Sequence, residues 1–177
     1  MSRLERALVS IVTFLDRHEI PYMVIGGIAN VVWGIPRTTL DVELTIWVDE
    51  QRLSQLAEMM IQTFSSRVEH AAAFVNETRV LPLTTAEGVD VDVIFGQLLY
   101  EQQAIQRATR HAIQGVEVRV CRPEDLVIHK LVSEPPKDRD DVRGLLQQQA
   151  GRLDRAYLDA HVAELARALD RPDIRVV

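Results

Sequence analysis

Cysteine is nearly absent. Cys121 stands alone, which excludes an intramolecular disulfide and a zinc cage built on cysteine. It reads as an inert small apolar residue. Histidine offers no substitute, since His70, His111, His129 and His161 lack metal-ligand spacing with one another. Positive charge is in deficit too: the net charge is −6, so no global basic field draws the chain to nucleic acid or anionic membrane. A local basic groove can still coexist with an acidic total. The opening MSRLERALVSIVTFLDRHEI is charged and amphipathic, without the long apolar core of a signal peptide or membrane span. No membrane association and a cytoplasmic location are therefore expected. Repeats and low-complexity linkers are missing as well.

What remains is an ordinary globular composition, 47% hydrophobic and 26% charged over 177 residues, enough for one domain with a real core. Residues 1–121 are expected to form the core, with 122–177 as a helical C-terminal portion of the same domain. Leu4, Leu8, Ile11, Val12 and Leu15 fall at helical spacing behind a Ser2 cap, predicting a helix to about Arg17. Tyr22–Ile25 predicts a buried strand, Ile28–Trp33 a short helix, and Leu40–Val48 a second strand. Asp49 should cap a helix through Phe64. Arg79–Thr85 and Val89–Phe95 read as a hairpin around Ala86-Glu87-Gly88. Gln97–Arg110 reads as helical, and Ile113, Gln114-Gly115 and Val116–Val120 as a further short strand or hairpin. Helices should follow from Arg122-Pro123-Glu124, from Lys137 to Gln148 beyond a break at Pro135-Pro136, and from Leu153 to Leu169. Trp33 and Trp47 are assigned to the core.

The chemistry concentrates in Tyr22–Val48. If Leu40–Val48 is extended, Asp41 and Glu43 leave the same side, opposite Val42, Leu44 and Ile46. Asp90 and Asp92 repeat that arrangement between Val89, Val91 and Val93. Carboxylates aligned in strands that otherwise read as buried call for a cation. Oxygen donors suit Mg²⁺ or Mn²⁺. A solvated polar face would explain one such pair; two pairs behind a glycine turn favour the metal. Gly26-Gly27, between a strand and a helix, could present backbone N–H groups to a triphosphate. Arg37 suits either a phosphate or a carboxylate partner.

The GG pair, then R-T-T-x-D-x-E at residues 37–43, then V-D-V-D-V-I-F, resembles the signature of the DNA polymerase β-type nucleotidyltransferase superfamily. D-L-V-I-H-K-L (Asp125–Leu131) and P-K-D-R-D-D-V (Pro136–Val142) are similar to the helical tail of its abortive-infection (AbiEii-type) branch, which includes toxins of toxin–antitoxin pairs. The resemblance spans Tyr22 to about Leu146. It implies an α/β (α+β) fold with a mixed, mostly antiparallel sheet and packed helices. It also implies transfer of a nucleoside monophosphate from an NTP to an acceptor such as tRNA or a protein, with Mg²⁺ or Mn²⁺ and with an antitoxin as partner. By position, Asp41, Glu43 and Asp92 match the catalytic metal ligands. Gly26 and Gly27 match the phosphate loop, and Lys130 the helical lysine near the triphosphate. Lys137, Asp138 and Asp141 match a K-D-x-x-D helix, making Arg37, Lys130 and Lys137 candidate nucleotide-binding cations. Glu43 departs from the usual Asp and would set a metal about one methylene further from the strand.

Other readings of the same residues remain. Lys130 lies among Val127, Ile128 and Leu131, where a lysine can simply snorkel. Asp138 and Asp141 share a helix face and could be structural, bridged to Arg37 or Lys130. Two rival functions follow: a degenerate family member that binds nucleotide or a partner without turnover, and a phosphohydrolase using water as acceptor.

Overall fold

A computed structural model describes residues 1–133 and 136–176, without the side chains of 136 and 137. Helix α1, Arg3–Arg17, starts in a capping box: the Ser2 hydroxyl accepts from the Glu5 N–H, and the Glu5 carboxylate accepts from the Ser2 N–H. Its apolar stripe, Ala7, Leu8, Ile11, Val12 and Leu15, is buried. Strand β1, Tyr22–Val24, leads into α2, Gly26–Trp33, and strand β2, Val42–Ile46, follows. A single helical turn, Glu50–Arg52, then precedes α3, Leu53–Ile61, β3, Ser65–Ser66, and α4, Ala71–Thr78. Strands β4, Val80–Thr84, and β5, Asp90–Phe95, make the expected hairpin, followed by α5, Leu99–Arg107. A second hairpin joins β6, Thr109–Ile113, to β7, Val116–Val120. The chain ends in α6, Pro123–Ser133, α7, Pro136–Gln148, and α8, Arg155–Ala168.

The seven strands form one sheet in the order β3-β4-β5-β2-β1-β7-β6. Four of its pairings are antiparallel, and two, β2 with β5 and β1 with β7, are parallel. This is the mixed, mostly antiparallel sheet expected. Parallel neighbours need long crossovers, and the segment between β2 and β5, with α3, α4 and the β3–β4 pair, supplies one. Alternation sets the faces: Val42, Leu44 and Ile46 on β2 and Val91, Val93 and Phe95 on β5 are buried together. Burying side chains of this size contributes about 1.5–3 kcal/mol each.

Several boundaries differ from expectation. Asp49 makes no side-chain cap bond, and the tight turn after it delays α3 to Leu53. The strand expected from Leu40 begins at Val42, which leaves Asp41 in the preceding loop. Helix α4, which buries only Ala71 and Val75, is closed at both ends by left-handed residues, His70 and Arg79. The expected helix through Arg110 stops at Arg107 because Thr109 pairs with Val120 in the hairpin. Pro135, half of the expected break, lies outside the described residues. No helix among the described residues is long and apolar enough to cross a membrane.

Candidate active site

Parallel pairing of β2 with β5 sets Glu43 directly beside Asp92, since Val42 faces Val91 and Leu44 faces Val93. Paired residues in a sheet share a face, so the two carboxylates leave the same side. Asp41, just before β2, receives the Thr39 hydroxyl at 3.0 Å. The register therefore aligns Glu43 with Asp92, while Asp41 lies in the loop before β2.

The glycine turn closes over this strand. Gly26 has φ +62°, and a Cβ there would fall 1.7 Å from Oε2 of Glu43. Only glycine meets both demands, a left-handed backbone and a carboxylate against its Cα. The Gly27 N–H donates to the same Oε2 at 3.3 Å, and a Cβ on Gly27 would lie 2.2 Å from Oγ1 of Thr39. The amino end of α2 thus lies against the acidic strand, with an N–H already turned toward a negative oxygen.

Sequence reasoning missed Arg67. Its backbone N–H reaches the Pro82 carbonyl beyond β3, and Pro82 faces Asp92 across the sheet. Its guanidinium bonds Oδ1 of Asp92 and approaches Oδ2 of Asp90 at 3.5 Å. The Arg67 and Asp92 side chains keep 34% and 41% of their exposure, so solvent screens this pair. Asp90 also receives the Thr84 hydroxyl.

Asp41, Glu43 and Asp92 offer only oxygen donors, the kind a hard divalent cation takes. Their chemistry fits such an ion, and Glu43 and Asp92 share a face. Their present arrangement does not close around one: among the described residues, no three acidic, histidine or cysteine side chains are grouped to hold a metal. Thr39 and Arg67 engage Asp41 and Asp92 instead.

The predicted cations Lys130 and Arg37 are engaged by carboxylates of α7. Lys130, buried on α6, donates to Oδ1 of Asp138 at 2.9 Å and to Oδ2 of Asp141 at 2.6 Å. Arg37 donates through Nε and Nη2 to both oxygens of Asp141, at 3.0 to 3.1 Å. Asn30 of α2, fully buried, adds a bond at 3.4 Å to Asp141 and another to the Ile35 carbonyl. Burial alone would raise the Asp141 pKa, but the bonds from Arg37 and Lys130 hold it below the usual carboxylate value. The bond to Asp141 raises that of Arg37 in turn. Asp138 and Asp141 are thus bridged to Lys130, and Asp141 to Arg37, as the structural reading of that helix face allowed. Lys137 belongs to α7, but its side chain lies outside the described residues.

The fold has solved relatives. An antigenic nucleotidyltransferase-like protein from Paracoccidioides brasiliensis is 21% identical, with 97% of this chain and 89% of that chain covered and a TM-score of 0.58. The antibiotic-resistance factor ANT(2'')-Ia is 17% identical over 93% of this chain and 94% of its own, with a TM-score of 0.59. The lincosamide antibiotic adenylyltransferase LnuA, lincomycin-bound, is 13% identical over 80% and 95%, with a TM-score of 0.54. At such identities the likeness is one of fold. No curated protein sequence matches. Residues 4–174 match the model of a family described as nucleotidyl transferase of unknown function (DUF2204), and the chain belongs to that family.

Proposed function

We propose that the chain transfers a nucleoside monophosphate from an NTP to an acceptor hydroxyl on the face that carries Asp41, Glu43 and Asp92. The observation that carries this reading is the β2–β5 register, which sets Glu43 beside Asp92 under the Gly26-Gly27 turn. Mg²⁺ or Mn²⁺ held by the three carboxylates would neutralise the triphosphate and activate the acceptor oxygen. The backbone N–H groups at the start of α2 would donate to the phosphates. Asp92, on its own strand and open to solvent, would take the acceptor's proton as the new O–P bond forms and pyrophosphate leaves. Positioning and charge carry such a reaction, with little covalent work for the protein. Arg37 and Lys130 anchor the loop from Gly34 to Asp41 through Asp141; the sequence match makes Lys137 a candidate cation for the triphosphate. The helical portion, 122–177, forms one wall of the same domain.

The finer reading is the abortive-infection branch: a toxin acting on tRNA or a protein, restrained by an antitoxin. It rests on Gly27 following Gly26 and on the Lys130 and K-D-x-x-D positions. A rival without turnover has one observation in its favour, the capture of Asp92 by Arg67. Incubation with the four labelled NTPs, Mg²⁺ or Mn²⁺ and total RNA or protein separates the readings. Transfer is expected, with Glu43→Asp preserving or raising it and Glu43→Ala lowering it about a hundredfold. Equal transfer by Glu43→Ala would remove Glu43 from the site. NTP binding without transfer by any variant would favour the rival, and release of free phosphate would mark a hydrolase.

A further inference from the structure

In a chain of net charge −6, four arginines converge on one cavity. Arg139 and Arg143, one turn apart on α7, face Arg171 and Arg175 of the tail, over a floor that includes Leu146 and Ile174. The cavity is about 610 Å³, within the range of roughly 300–1,000 Å³ that small-molecule sites occupy. Among the described residues its one lining carboxylate, Asp173, is taken by Arg171 through two bonds, at 3.2 and 2.6 Å. Those bonds and a third from Arg171 to the Val132 carbonyl fix that guanidinium in place. Arg143 pairs with Asp140 at its exposed edge. Arg139 and Arg175 make no direct hydrogen bond or ion pair among the described residues. Lys130 reaches the cavity wall already neutralised by Asp138 and Asp141.

Asp173 and Asp140 offset Arg171 and Arg143, which leaves the charges of Arg139 and Arg175 to draw a further anion. Guanidinium groups match phosphate oxygens in geometry and bind them by paired, charge-assisted bonds. The apolar floor adds room for an uncharged body attached to that phosphate. A cationic ligand would meet Arg139 and Arg175, which no carboxylate pairs among the described residues, and be repelled.

We propose that this cavity, between α6, α7 and the tail, binds a phosphate ester at a site separate from the Asp41–Glu43–Asp92 face. The chemistry is a phosphate carried on a partly apolar body, supplied either by a free nucleotide or by a nucleic acid strand. The inference does not depend on the transfer reaction, because none of its arginines belongs to the carboxylate face.

The test is titration calorimetry in EDTA, which keeps divalent metal from bridging a nucleotide to the carboxylates. The probes are inorganic pyrophosphate, adenosine monophosphate and a short single-stranded oligoribonucleotide. Binding is expected to weaken as salt rises. It should fall about tenfold or more in Arg139→Ala/Arg143→Ala and in Arg175→Ala, the loss expected for charged hydrogen bonds removed. Asp92→Asn should bind as wild type does. Tighter binding of the strand than of the monophosphate assigns the nucleic acid source, and the reverse order assigns the free nucleotide. Absence of binding to wild type, equal binding by the folded arginine variants, or loss of binding in Asp92→Asn overturns the proposal. Circular dichroism establishes that the arginine variants are folded.

Discussion

The molecule holds two sets of acidic residues that look alike in sequence and differ in circumstance. Glu43 and Asp92 lie side by side on the sheet, with Asp41 in the loop before β2, and Asp92 keeps 41% of its side-chain exposure. Asp138 and Asp141 keep 10% and 8%, and each is bonded by Lys130. A charge out of water must be matched by partners, whereas a wet one can exchange its partner for a ligand. Spacing placed both sets on a common face. Burial and partners separate an anchor from a site.

Removing the anchor should have the largest effect. Asp141→Ala leaves Arg37 and buried Lys130 short of a partner and is expected to destabilise the protein by about 3–5 kcal/mol in urea unfolding. Asp92→Ala, which breaks only a screened pair, should cost less than about 1 kcal/mol. Equal losses would erase the distinction between the two regions.

Gly26→Ala probes the seam between them. Its left-handed backbone and the clash with Glu43 predict a loss of about 1–3 kcal/mol, read as a lower melting temperature. A neutral result would mean that Glu43 does not rest against that turn.

The smallest effect is one of pH. Asp141 has a folded pKa below its unfolded value, so its stabilisation is complete only above about pH 5, well above the unfolded value. It is lost as pH falls through the folded pKa. The stability gap between wild type and Asp141→Asn should therefore narrow as pH falls below about 5. A constant gap would show that the Asp141 charge contributes nothing.

The sheet was legible because β2 and β5 alternate cleanly, and the glycine turn because Gly26-Gly27 sits between a strand and a helix. Helix α4 was not, since Ala71-Ala72-Ala73 carries no stripe and both its ends rest on left-handed residues that sequence does not flag. Arg67 was hidden by distance: it lies 25 residues from Asp92, and only the β3–β4–β5 register brings the two together. Asn30 was hidden likewise, 111 residues from Asp141. The partners of the K-D-x-x-D helix were open alternatives in sequence, because whether Arg37 meets a phosphate or Asp141 depends on how α2 packs against α7.

The central claim is that the open acids exchange their present partners for a metal–nucleotide complex. Titration of Mn²⁺ in the presence of an NTP, followed by electron paramagnetic resonance of the free ion, tests it directly. Asp92→Asn should weaken Mn²⁺ binding about tenfold or more, and Asp90→Asn, at the strand's outer end, should stay within about twofold of wild type. Wild-type affinity in Asp92→Asn, or its loss in Asp90→Asn alone, would contradict the account.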